Sequence, residues 1–133
     1  MEEAVPPLGS KQEVKATILI VEDDFMTRWS AAEYLRLRGY KVLEAVDVTE
    51  ALGLAAAGTP IDAVFSDIHL GGGQGGHELA QWFSKHRPFI PVLLTSGADD
   101  PDPSPMSELR SFVRKPYDLT QVEQLLRSMI KRP

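Results

Sequence analysis

Three consecutive acids, Glu22-Asp23-Asp24, follow directly on the apolar run Ile18-Leu19-Ile20-Val21. Carboxylates this close repel one another, and at the mouth of a buried strand they are costly unless solvent or a cation compensates them. A further acid, Asp67, ends the run Ala63-Val64-Phe65-Ser66, and Lys115 ends Phe112-Val113-Arg114. Glu22, Asp23 and Asp67 offer hard oxygen ligands. These suit Mg²⁺ (or Mn²⁺): Mg²⁺ takes one or two carboxylates, keeps several waters and accepts phosphate oxygens from a substrate. A carboxylate can also attack phosphorus and form an aspartyl phosphate. The metal and Lys115 would neutralise the charge on the transferring group, and the Ser96 hydroxyl could hydrogen-bond the installed phosphoryl oxygen. Adding that much charge at one point makes a switch. Zinc fits poorly, because the chain has no cysteine and its three histidines are not paired at ligand spacing.

Bulk properties narrow the class further. The 133 residues are enough for one core and too few for two, and 43% hydrophobic with 25% charged content is ordinary for a globular domain. A net charge of −5 argues against direct binding to nucleic acid or to an anionic membrane. No apolar run is long enough to span a bilayer, and the acidic, proline-bearing start Met1-Glu2-Glu3-Ala4-Val5-Pro6-Pro7 is unlike a signal peptide. A cytoplasmic location is the expectation.

The acids and the lysine must be positioned by regular elements. Residues 1–15 lack apolar periodicity and read as a flexible lead-in. Thr17 to Val21 reads as a strand buried on both faces. A helical pattern runs from Phe25 to about Arg38, with Gly39 placed as a C′ residue. A strand over Tyr40–Ala45 follows, then a helix to about Ala57 opened by an Asp47/Glu50 capping box. Ile61–Ser66 reads as the next buried strand. The glycine-rich run Gly71-Gly72-Gly73-Gln74-Gly75-Gly76 reads as a flexible loop. The spacing then predicts a helix over His77–His86, a strand over Ile90–Ser96 and a strand over Ser111–Arg114. A last helix runs to about Lys131, capped by Asp118 with Gln121. Between the last two strands, Asp99–Pro105 holds three prolines and three aspartates, so any helix there is short or irregular.

Strands alternating with helices imply a parallel sheet covered on both faces. Five of them fit the flavodoxin-like doubly wound (βα)5 architecture, order 2-1-3-4-5, whose ligands bind at the carboxyl ends of the strands. Glu22, Asp23, Asp67, Ser96 and Lys115 all lie at such ends. Other residues have plainer readings. Asp24 can cap the first helix, Arg28 can decorate it, His69 and His77 can be surface residues, and Trp29 and Trp82 can pack half-buried.

The pieces Ile18–Asp24, Asp62–Asp67, Pro91–Gly97 and Phe112–Pro116, in this order and spacing, resemble the receiver domain of two-component response regulators. The similarity covers about Ala16 to Ile130, so residues 16–133 are expected to form that domain. The resemblance implies that Asp67 accepts a phosphoryl group from a sensor histidine kinase or phosphotransfer protein. It implies that Asp23 binds Mg²⁺ directly and Glu22 through water, with the His69 backbone carbonyl as a further ligand. It makes Ser96 the switch hydroxyl, Lys115 the phosphate partner and Phe112 the switch aromatic, and it makes Lys115–Pro116 a cis peptide. The product would be a switch rather than an enzyme, acting on an unidentified downstream protein. Two features depart from the family: Gly71 stands where proline is usual, in a loop one residue longer than common, and 98–109 is short where a fourth helix is usual. The second puts the usual dimerisation face in doubt. Three alternatives stay open. A flavin carrier would need a glycine- and hydroxyl-rich phosphate loop where Glu22-Asp23-Asp24 stands. A phosphohydrolase would need a second acid and a cap. A phosphorylation-independent interaction module would bind its partner regardless of Asp67.

Overall fold

In the computed structural model, residues 14–97 and 109–131 are described. Five parallel strands form one sheet in the order β2-β1-β3-β4-β5: β1 Thr17–Val21, β2 Lys41–Ala45, β3 Ala63–Asp67, β4 Val92–Ser96 and β5 Arg110–Arg114. The described helices are α1 Phe25–Leu37, α2 Val48–Ala56, α3 Gly76–His86 and α4 Leu119–Ile130. None of them is long and apolar enough to cross a membrane. This is the flavodoxin-like order expected. Residues 98–108, which hold most of the expected irregular stretch, and most of the 1–15 lead-in lie outside the described residues.

Side-chain alternation sorts the core into two layers. Ile18, Ile20, Phe65, Leu93 and Val113 meet Ala31, Ala32 and Leu35 of α1 and Val122, Leu126 and Met129 of α4. Leu19, Val21, Val64, Val92 and Leu94 meet Val48, Ala51 and Ala55 of α2 and Leu79, Ala80 and Phe83 of α3. Every residue of β1, β3 and β4 is buried, because helices cover both faces. Each fully buried aliphatic side chain contributes about 1.5–3 kcal/mol, so these three strands form a firmly packed platform beneath the residues at their carboxyl ends.

Several strands start later than periodicity alone predicts, for identifiable reasons. Asp62 precedes β3 because its carboxylate accepts from the Thr17 amide at 2.8 Å while its own amide donates to the Thr17 carbonyl at 2.8 Å. Pro91 precedes β4; its carbonyl accepts from the Val64 amide at 2.9 Å, and proline has no amide to continue the ladder. Tyr40 precedes β2 because its amide is taken by the Leu35 carbonyl at 3.1 Å, in a turn that closes α1 through Gly39 at φ 99°. In the other direction, β3 extends to Asp67 and β5 begins one residue earlier, at Arg110.

The caps follow their sequence signals closely. Asp24 accepts from the Thr27 amide (2.9 Å) and hydroxyl (2.6 Å), and Asp47 accepts from the Glu50 amide (2.8 Å). The reciprocal bond of the second cap comes from Val46, one residue earlier than the standard box, to Glu50 Oε1 at 2.9 Å. Asp118 caps α4 as expected, but through the Thr120 amide at 3.0 Å rather than with Gln121.

Candidate functional site

The carboxyl ends of β1, β3, β4 and β5 converge at one edge of the sheet, as the parallel registers Val21↔Ser66, Asp67↔Thr95 and Ser96↔Arg114 require. Asp67 is the last residue of β3 and is 6% exposed, while Glu22, just past β1, is 4% exposed. Both carboxylates converge on one ammonium. Lys115 Nζ lies 2.5 Å from Asp67 Oδ2 and 3.2 Å from Glu22 Oε1. The other Asp67 oxygen, Oδ1, accepts from the His69 amide at 2.8 Å, a contact that no feature of the sequence announced. Asp67's own carbonyl accepts from the Ser66 hydroxyl at 2.9 Å. Lys115–Pro116 is a cis peptide.

Electrostatics follow from burial. Desolvation pushes the Glu22 carboxyl above the usual carboxylate range, against the opposing pull of the Asp24 amide and of Lys115. Burial alone would depress the Lys115 ammonium, but its hydrogen bond to Asp67 and the charges of Asp67 and Glu22 outweigh that and raise it. Tyr117 is pushed up to about 12, chiefly by burial and then by the Glu22 charge. Its ring packs edge-on against Phe65 with centroids 5.4 Å apart.

Asp23 is exposed at the same edge, and the loop after β3 comes close to it: a Cβ added at Gly71 would lie 4.0 Å from Asp23 Oδ2. No trio of imidazoles and carboxylates among the described residues is gathered tightly enough to cage a metal. Ser96 is completely buried, and its hydroxyl has no hydrogen-bond partner among the described residues; Thr95 Oγ1 is in the same position. An unsatisfied buried hydroxyl costs about 1–3 kcal/mol, so the Ser96 hydroxyl has a stake in any acceptor placed at this edge. Phe112 is half-buried against the α2–α3 layer, with the Arg114 guanidinium 5.2 Å from its ring centroid.

The glycine loop is more constrained than its composition implied. Gly72 and Gly73 take φ of 85° and 90°. Gly75 and Gly76 are needed for close approach: a Cβ on Gly75 would sit 2.1 Å from the Ile68 carbonyl oxygen, and one on Gly76 2.5 Å from the Asp67 carbonyl oxygen. The Gly76 amide donates to the Ile68 carbonyl at 2.9 Å, which starts α3 one residue before the predicted His77. His69, His77 and His86 are exposed, and the His86 ring stacks on Trp82 at 4.6 Å. Trp29 is 46% exposed. Arg28 is no mere surface decoration: it donates to the Glu22 carbonyl at 2.9 Å and pairs with Glu44 at 3.1 Å. A cleft of about 540 Å³ opens beside Lys115, lined by Thr27, Ser30, Ala31, Pro116, Tyr117 and Leu119.

Known proteins share this fold. The model of the response regulator receiver domain family matches residues 18–127. The sensor kinase CckA of Brucella abortus is 31% identical over 121 residues, 88% of this chain but 13% of that protein. A cyclic di-GMP phosphodiesterase of Thermotoga maritima is 31% identical over 106 residues, 77% of this chain and 28% of that protein. The crystal structure of the receiver domain from the hybrid histidine kinase CckA matches with a TM-score of 0.73 at 30% identity, covering 86% of this chain and 99% of that one. A response regulator receiver domain protein from Clostridium thermocellum matches with a TM-score of 0.79 at 25% identity, covering 88% and 95%. The chain spans between 13% and 50% of the length of four curated relatives it matches. Sheet order, acidic edge and the match over 18–127 together make this chain a member of the response regulator receiver domain family of two-component systems.

Proposed function

We propose that this chain is a phosphoacceptor switch in a two-component phosphorelay, with residues 16–133 as its receiver unit. A carboxylate oxygen of Asp67 attacks the phosphorus of a phosphohistidine on a sensor kinase or phosphotransfer protein. The new O–P bond forms as the N–P bond breaks, and the donor imidazole leaves with the electron pair. The observation that carries this reading is the convergence of Glu22 and Asp67 on Lys115. A phosphoryl group on Asp67 would take over the ammonium that Asp67 now engages, and the orphaned Ser96 hydroxyl would donate to a phosphoryl oxygen. Asp23 and Asp67, with Glu22 through water and the His69 carbonyl, would hold Mg²⁺ (or Mn²⁺). When bound, the cation neutralises charge on the phosphoryl oxygens. Phe112, half-buried beside Arg114, is the aromatic whose packing would respond.

The donor's docking face is the N-terminal end of α1, where Phe25, Met26 and Trp29 stand exposed. The phosphorylated form then changes its affinity for a downstream protein in the cytoplasm; it turns over no substrate other than its own phosphoryl group. Intact-mass spectrometry after incubation with acetyl phosphate tests this. One phosphoryl adduct that needs both Mg²⁺ and Asp67 supports the switch. Equal labelling of the Asp67→Asn protein would overturn the acceptor assignment.

A further inference from the structure

Arg28 lies one turn into α1 with its side chain only 13% exposed. Its guanidinium spans two elements: one arm donates to the Glu22 carbonyl at 2.9 Å, and Nε pairs with Glu44 Oε1 of β2 at 3.1 Å. Glu44 is itself oriented, because its other oxygen pairs with Arg36 at 3.1 Å and Arg36 also pairs with Glu33 at 3.1 Å. The result is a line of alternating charge, Glu33-Arg36-Glu44-Arg28, that ends on one backbone carbonyl.

That carbonyl is a sensitive place. Glu22 follows the last residue of β1, so its amide still joins the ladder, donating to the Ala45 carbonyl at 3.0 Å. Its side chain turns back to accept from the Asp24 amide at 3.1 Å. The Glu22 carbonyl starts the peptide that carries Asp23, and Arg28 is its partner. A planar guanidinium that meets a carbonyl and a carboxylate at once fixes direction as well as distance; an ammonium cannot meet both in that geometry.

We infer that Arg28 is a positioning residue for the acidic edge. Held by Glu44, it locks the Glu22–Asp23 peptide and so sets where the Asp23 carboxylate stands relative to Asp67. The role rests on the proposed Mg²⁺-dependent switch. Arg28 touches neither the phosphoryl group nor the cation; it acts through the backbone. A purely structural Arg28 would alter stability and leave cation affinity alone, and that difference makes the role testable.

The test is a calorimetric Mg²⁺ titration of the full chain as wild type, Arg28→Ala, Arg28→Lys and Glu44→Gln, with melting temperatures and the Mg²⁺ dependence of acetyl phosphate labelling alongside. Loss of a group that orients a metal ligand weakens affinity by about tenfold or more. The Mg²⁺ dissociation constant should therefore rise about tenfold in Arg28→Ala, with Arg28→Lys restoring part of the loss. The labelling rate at saturating Mg²⁺ should stay within about twofold of wild type, because the reacting atoms are untouched. Should Arg28→Ala fail to fold, Glu44→Gln keeps the Arg28 guanidinium and removes the charge that anchors it, and a weaker Mg²⁺ constant there carries the same conclusion. Folded variants that bind Mg²⁺ as wild type does would overturn the role of Arg28 alone. A wild type that neither binds Mg²⁺ nor takes label would overturn the switch reading and this role together.

Discussion

Replacing Lys115 with methionine keeps most of the stem and removes the charge that Glu22 and Asp67 share. The contacts of 3.2 and 2.5 Å are worth on the order of 5 kcal/mol each in gross attraction at an effective dielectric of about 20. Desolvation consumes most of that; removing one partner of a fully buried pair costs about 3–5 kcal/mol. The Lys115 side chain is 29% exposed, so water screens the ammonium and the cost falls to about 2–3 kcal/mol. In a domain of this size that is a drop of roughly 10 °C in melting temperature. The loss should depend on pH with a definite sign. Burial already raises the folded pKa of Glu22, and without Lys115 it rises further. A carboxyl whose folded pKa is raised destabilises the fold above that value and ceases to do so below its unfolded value, about 4.5. The deficit of Lys115→Met relative to wild type should therefore shrink as pH falls from 7.5 toward 5. Comparing the two proteins at each pH cancels the titration of the carboxyls that do not touch Lys115. Urea denaturation across that range is the assay, with Glu22→Gln added to Lys115→Met as the control that should recover about half of the deficit. A Lys115→Met protein as stable as wild type at pH 7.5, or a deficit that neither pH nor Glu22→Gln relieves, would refute this reasoning.

Three further substitutions probe the scaffold. A methyl on Gly76 would meet backbone on both sides, 2.5 Å from the Asp67 carbonyl oxygen and 3.0 Å from the Ile68 Cα. Gly76→Ala should lose about 1–3 kcal/mol and slow acetyl phosphate labelling at least about tenfold, since the backbone of Asp67, the proposed acceptor, must shift. Gly53→Ala, on α2 with nothing within 4 Å, should instead gain about 0.4–1 kcal/mol. The Tyr40 hydroxyl donates to Glu123 Oε2 at 2.7 Å, and both residues are 6% exposed. Tyr40→Phe should cost about 1.5–3 kcal/mol at neutral pH, read by urea denaturation. Burial first, and then the bond to Glu123, pushes the Tyr40 phenol up to about 12. The stability it adds is complete below about pH 10 and is lost between about 10 and 12. Tyr40→Phe should flatten that alkaline fall and leave the part due to Tyr117, whose phenol is also pushed up to about 12.

The sheet was largely legible because a parallel strand buried on both faces leaves a plain signal. Thr17–Val21 reads as a run of β-branched and aliphatic residues and is a strand over those same residues. The helix starts at Asp24, Asp47 and Asp118 were equally open, since an N-cap bond spans only two or three residues. Strand beginnings were less so. Asp62, Pro91 and Tyr40 look like strand residues by pattern, but their backbone groups or side chains are committed to turns and to neighbouring strands.

The local pattern of the chain determined which residues are strand ends, and hence which side chains could meet: Glu22, Asp23, Asp67, Ser96 and Lys115. Topology followed, because alternating strands and helices admit few right-handed arrangements. How those groups meet was decided by tertiary structure. Lys115 is 93 residues from Glu22 and 48 from Asp67, and only the packed sheet sets it within reach of both. Arg28 looked like surface charge because nothing local links it to Glu44; the link exists because β2 lies beside β1 with Glu44 opposite Ile20. The glycines at 75 and 76 looked like slack, and the fold makes them the two positions where α3 comes too close to the Asp67–Ile68 backbone for a side chain. Short-range hydrogen bonds and hydrophobic period are written along the chain, whereas distances between strand ends and the burial that shifts their charges exist only once both helical layers have closed on the sheet.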